Sequence, residues 1–159
     1  MSMDHAKIAG ELFANGYNCS QAVFGAFSDV TGIDAKTAFM RSSSFGGGMG
    51  RMREVCGAVT GAFMVLGTLY GYSEHEDKKK SEIYELVRDF SDRFRAENGS
   101  IICRELLSQA GIPKDTSNEP EKRTPEYYKK RPCRELVEMA AGILDKMISE
   151  KGNQDENKI

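Results

Sequence analysis

The chain has 159 residues, enough for one domain with a self-sufficient core. Charged residues make up 29% of it, and 22 basic against 24 acidic side chains leave a net charge of −2; that excludes the basic excess of a general nucleic-acid binder and the composition of a disordered chain. Four cysteines and four prolines at this length argue against a disulfide-stapled scaffold and a loop-rich all-β chain.

Helical periodicity runs through most of the chain. Ala6 to Ala14 places Ile8, Ala9, Leu12 and Phe13 on one face and stops at Asn15-Gly16. Asn18 with Gln21 forms a capping-box pattern opening a second helix, which carries Cys19, Ala22, Val23, Ala26, Phe27 and Val30 and stops at Gly32. Asp34 reads as the cap of a third helix, to about Ser43, and a glycine-rich stretch from Ser42 to Arg51 follows. From Val55 to Tyr72 no residue is charged. That length borders on a membrane span, but the polarity of the remaining chain makes it a central helix buried all round, with Gly57, Gly61, Gly67 and Gly71 admitting close neighbours. Glu76 to Glu97 reads as a long amphipathic helix closed by Asn98-Gly99, and Ser100 as the cap of a short one to Gln109. Lys114 to Lys130 is charged, contains Pro120 and Pro125, and reads as a surface connection. Pro132, at a first helical position, opens the last helix, whose stripe is Leu136, Ala140, Ile143, Leu144 and Met147. The expected fold is all-α: one helical bundle of six to seven helices over residues 1–151, with a frayed polar tail over 152–159.

The cysteines stand at 19, 56, 103 and 133 with no C-x-x-C among them, so zinc-ribbon and thioredoxin signatures are absent. Each falls at or near a predicted helix start and on that helix's apolar stripe. Cys103-Arg104-Glu105-Leu106 recurs as Cys133-Arg134-Glu135-Leu136. A helix start presents free N–H groups and a positive dipole end, which favour the thiolate, the form that acts as nucleophile and metal ligand. Arg53, Arg104 and Arg134 would add to this if they turn inward. A buried free cysteine can equally be inert filling. Four in one structural role weigh towards function.

The order Cys19, then Cys56-Gly57-Ala58-Val59-Thr60-Gly61, then Cys103 and Cys133 resembles the C-GCAxxG-C-C family, bacterial proteins described as redox-active. The family's motif writes Gly before Cys, whereas this chain reads Cys56-Gly57-Ala58. The resemblance implies a small helical protein whose four family cysteines fall on these four positions, with a redox role and no assigned substrate.

Gly57 and Gly61 share a helix face beside Cys56, where they could open space for a second thiol or a cofactor or simply allow close helix packing. Cys56 is therefore expected in any close cysteine pair. The Gly46–Gly50 loop lacks the last glycine of a dinucleotide fingerprint, Arg53 standing there, and lacks a phosphate-loop ending; a flexible turn is preferred over an anion nest. His5 and His75 read as isolated surface residues, Lys78-Lys79-Lys80 as a solvated patch, and Tyr127-Tyr128 as core anchors of the connection. The first eight residues carry an acid and no apolar run, so the expected compartment is the cytoplasm, with reduced thiols.

Two functions compete. In the first, Cys19, Cys56, Cys103 and Cys133 act as redox thiols in disulfide exchange or electron transfer with an unknown redox partner or small-molecule substrate. In the second, the same four cysteines converge to ligate an iron–sulfur cluster, a soft metal ion or a haem-type group. A third reading makes them inert in a structural or interaction domain. Nucleic acid and membrane insertion are not expected; a homo-oligomer is compatible with all three.

Overall fold

The computed structural model describes residues 3–157. They form nine α-helices, seven of them seven residues or longer, and no strand. The protein is an all-α helical domain, and no helix among the described residues is long and apolar enough to cross a membrane.

The N-terminal helices follow their local signals. α1 (His5–Ala14) is capped by Asp4, whose carboxylate accepts the Lys7 amide at 3.1 Å. α2 (Cys19–Ala26) has the full capping box: Asn18 accepts the Gln21 amide at 2.9 Å, and the Gln21 side chain accepts the Asn18 amide at 3.1 Å. The single helix expected from Asn18 to Val30 breaks at Phe27, and α3 (Ser28–Thr31) follows as one turn. At the break the Ser28 hydroxyl bonds the Gly25 carbonyl at 2.9 Å, a local alternative to the helical ladder. α4 (Ala35–Ser42) starts at Asp34, which accepts both the amide and the hydroxyl of Thr37.

α5 (Gly57–Tyr70) is the central helix and packs against α2. Its residues 57–62 are buried on every side, but Gly67 and Thr68 are exposed, so the expectation of burial all round holds only for the first half. α6 (Asp77–Asn98) ends at Gly99, whose φ of 83° is the left-handed cap that glycine supplies without strain. α7 (Cys103–Gln109) is capped by Ile102 rather than Ser100; the Ser100 hydroxyl instead accepts the Ile102 amide and pairs with Glu105. A short α8 (Pro125–Lys130) lies within the charged connection, started by Thr124 and Pro125. α9 (Cys133–Glu156) takes Pro132 as its cap and stays helical past Gly152, with exposed polar residues over its final turn.

The core is built from Phe13, Phe24, Phe27, Phe90, Phe94, Leu66 and Leu144, each essentially inaccessible. Burial of such side chains contributes roughly 1.5–3 kcal/mol apiece before chain entropy is charged against it. α1 lies along α9, and α5 also touches α6 and α9, so the starts of α2, α5, α7 and α9 gather at one end of the bundle.

His5 departs from its sequence reading. It is 5% exposed, stacked on Phe27 at 4.2 Å between ring centroids, with its ring nitrogens 2.6 Å from Asp145 Oδ1 and 2.9 Å from Asp29 Oδ1. Those partners come from α9 and α3, which sequence proximity could not reveal.

Candidate functional site

All four cysteines stand at helix starts: Cys19, Cys103 and Cys133 are the first residues of α2, α7 and α9, and Cys56 caps α5. All four line one cavity of about 60 Å³ and are free thiols. Each is held there by a different device.

Cys19 is fixed by the Asn18 cap, whose amide group also donates to the Ser43 carbonyl at 3.0 Å, while the Ser20 hydroxyl reaches the Ser42 carbonyl at 2.7 Å. Cys56 and Cys103 face each other through antiparallel backbone. The Cys56 amide donates to Ile101 at 2.8 Å, the Cys103 amide to Glu54 at 2.6 Å, and Val55 and Ile102 form an isolated β-bridge between them. Cys133 follows Arg131 and Pro132 at the end of the connection.

Within this chamber the Cys19 and Cys133 thiols act on each other's ionisation. The interaction shifts the pair apart: it holds Cys133 below the ordinary thiol range, helped by Arg131, Arg123 and Arg53, and pushes Cys19 well above it, with burial adding to the rise. Burial dominates at the other two, pushing Cys56 up to about 12 and raising Cys103 despite the guanidinium of Arg53 beside it. The thiolate is therefore favoured at Cys133 alone, by the neighbouring thiol and guanidinium groups rather than by its helix start; at Cys56 burial outweighs the helix-start N–H groups of Ala58 and Val59, and at Cys103 it outweighs Arg53.

The strongest coupling among the thiols runs between Cys19 and Cys133, while Gly57 and Gly61 lie beside Cys56 on α5. The space those glycines leave is taken by α2. A Cβ on Gly57 would stand 3.1 Å from the Cys19 Cβ, and one on Gly61 only 2.8 Å from the Ser20 carbonyl oxygen. Their role is close packing of α2 on α5, which brings Cys19 onto the same wall as Cys56. Among the described residues no group of three or more His, Cys, Asp or Glu side chains is arranged to hold a metal ion.

The glycine-rich loop is a closed, hydrogen-bonded turn. Gly47, Gly48, Met49, Gly50, Arg51 and Arg53 all have φ between 58° and 74°. Backbone bonds from Arg53 to Gly47 and from Glu54 to Gly48 close the turn. Left-handed backbone costs a non-glycine residue roughly 1–2 kcal/mol, a strain carried here by Met49, Arg51 and Arg53. Gly48 is obligatory for a second reason, since a Cβ there would lie 2.6 Å from the Cys103 Cβ. The strained turn aims Arg53 inward: it is 4% exposed, with Nη1 donating to Cys103 Sγ at 3.8 Å and Nε to the Asp115 carbonyl at 2.9 Å. Arg104 and Arg134 turn outward instead, paired with Glu54 and Glu138.

The 114–130 connection supplies the site's remaining wall. Arg123 donates to the Phe13 and Tyr17 carbonyls at 3.1 Å each and lies 4.3 Å from the Phe13 ring centroid. Tyr128 anchors the segment by donating to the Ala14 carbonyl at 3.2 Å. Tyr127 reaches the chamber itself between the guanidinium groups of Arg123 and Arg131, at 4.9 and 5.0 Å. Arg51, Arg123, Arg131 and Tyr127 have no local motif that marks them as site residues; their shared signal is that basic side chains recur on both sides of a glycine turn and a helix start.

No curated protein and no solved structure matches the chain. A family model does match, over residues 17–147, and that span opens just before the Asn18 cap and contains all four cysteines and the Cys56–Gly61 hexapeptide. The chain belongs to the C_GCAxxG_C_C family, described as "Putative redox-active protein".

Proposed function

We propose that the protein is a dithiol redox protein in which Cys19 and Cys133 are the working pair. The observation that carries this is one cavity lined by all four thiols together with Arg53, Arg123 and Arg131, in which Cys133 is favoured as the thiolate and Cys19 as the thiol. Cys133 thiolate attacks one sulfur of a substrate disulfide, forming a mixed disulfide and releasing the other half as a thiolate. Cys19 then gives its proton to that departing thiolate or to water and attacks the Cys133 sulfur, forming the Cys19–Cys133 disulfide and expelling the second half. Two protein thiols are oxidised and one substrate disulfide is reduced to two thiols. A dithiol reductant running the same steps in reverse restores the protein. Cys56 and Cys103 supply the buried wall behind the pair.

The test is peptide mapping after mild oxidation of the reduced protein. One disulfide, Cys19 to Cys133, is expected, and Cys19→Ser or Cys133→Ser should abolish it while Cys56→Ser and Cys103→Ser leave it. Stoichiometric iron or haem in protein purified without oxygen, or a different pairing, would overturn the reading.

A further inference from the structure

A second, larger cavity of about 370 Å³ opens outside the thiol chamber and shares with it Asn18, Gly47, Arg53, Arg123, Tyr127 and Arg131. Its lining holds four guanidinium groups, those of Arg51, Arg53, Arg123 and Arg131, and one carboxylate, Glu121. Two of the four are neutralised. Arg131 pairs with Glu121, and Arg51 reaches Asp115 at 3.5 Å while donating to the carbonyls of Ser117 and Glu119. Arg53 and Arg123 pair with no carboxylate among the described residues; their partners are backbone carbonyls, aromatic faces and the Cys103 sulfur. A buried guanidinium without a counter-charge is costly, and Arg53 sits there at the further expense of a left-handed backbone. Elsewhere the chain is net acidic.

We infer that this cavity is an anion-binding vestibule which selects small disulfides carrying a carboxylate or comparable anionic group, the anion seated on Arg53 and Arg123 with the disulfide directed at Cys133. The inference rests on the dithiol reading of the same site and names its substrate class. The volume suits a small molecule held in a concavity, whereas a folded protein substrate would dock on an open face. Guanidinium forks match carboxylate geometry, and Tyr127 between Arg123 and Arg131 offers an apolar floor for the methylene arms. The electron balance is that of the exchange above, the anionic disulfide being reduced to two anionic thiols.

Stopped-flow oxidation of the reduced protein by three disulfides of similar size tests this: 3,3′-dithiodipropionate (anionic), 2-hydroxyethyl disulfide (neutral) and cystamine (cationic). Each rate is divided by that of the same disulfide with a small free thiol. The anionic probe should be preferred by about tenfold or more at low salt, and the preference should shrink at high ionic strength. Suberate, its carbon analogue, should slow the reaction competitively, and the uncharged 1,8-octanediol should not. Arg123→Gln should remove most of the preference; if that variant does not fold, the salt dependence and suberate competition in the unaltered protein decide. A Cys19–Cys133 disulfide that forms without charge preference would overturn the vestibule and leave the dithiol reading standing. No such disulfide with any probe would overturn the dithiol reading itself.

Discussion

Arg53 and Cys103 meet at 3.8 Å, guanidinium against sulfur, although fifty residues separate them in the chain. The contact depends on a backbone that Arg53 would not choose unaided, and on the pairing of the Glu54 and Ile101 carbonyls with the Cys103 and Cys56 amides.

Arg53→Met should therefore raise the Cys103 thiol further, because the substitution removes the one neighbour that stabilises its charge most and leaves burial in place. A hydrogen bond to a charged group is worth roughly 1.5–3 kcal/mol, so Cys103 alkylation near neutral pH should slow by on the order of tenfold. Site-resolved mass spectrometry reads this directly. An unchanged Cys103 rate would mean the guanidinium contributes nothing to the thiolate.

Alkaline conditions should destabilise the fold through Cys56. Its thiol is pushed up to about 12 by burial, against an ordinary value of 9.0. Below about 9 the thiol is protonated in both folded and unfolded chains, so its full contribution to stability is present. Above that, the unfolded chain ionises while the folded one resists, and stability is lost progressively until the folded pKa is passed. At pH near 10.5 the loss attributable to Cys56 should be about 2 kcal/mol. Urea midpoints of the unaltered protein and of Cys56→Ala, compared between pH 7 and that value, isolate the term. The variant should show the smaller drop.

The α2–α5 contact predicts opposite signs for two glycines on the same helix. Gly61→Ala places a methyl 2.8 Å from a backbone carbonyl oxygen and should destabilise by about 1–3 kcal/mol. Gly67→Ala meets nothing within 4 Å and should stabilise by up to about 1 kcal/mol through helix propensity. Thermal midpoints measure both. Equal effects would show that α2 does not approach α5 as closely as described.

His5 is expected to act as a clasp between α1, α3 and α9. His5→Ala should cost about 1–3 kcal/mol, the range for stranding or losing part-buried polar partners. Asp145→Asn should cost less once His5 is gone than before, a coupling visible in a double-mutant cycle on denaturant unfolding. Additive effects would remove the clasp.

By itself the sequence determined most of the helices and the positions of the cysteines along them, though not the break at Phe27 or the short α8. Asn18 with Gln21, Asp34 with Thr37, and Gly99 are signals that act within four residues, so they read correctly without any tertiary information. Cysteines at four helix starts were legible for the same reason, and the order of their surroundings sufficed to indicate the family. Only the tertiary structure decided what those starts face. That Cys19 comes onto the same wall as Cys56 depends on how Gly57 and Gly61 let α2 descend onto α5. The burial that raises Cys56 and Cys103 opposes the dipole that local position supplies, and burial is a property of the whole packing. The arginine vestibule joins a strained turn near residue 50 to a connection near residue 123, and His5 finds a partner 140 residues away. Local patterns carry no record of such distances, because the free energy that closes them comes from packing among helices rather than from the residues beside each one.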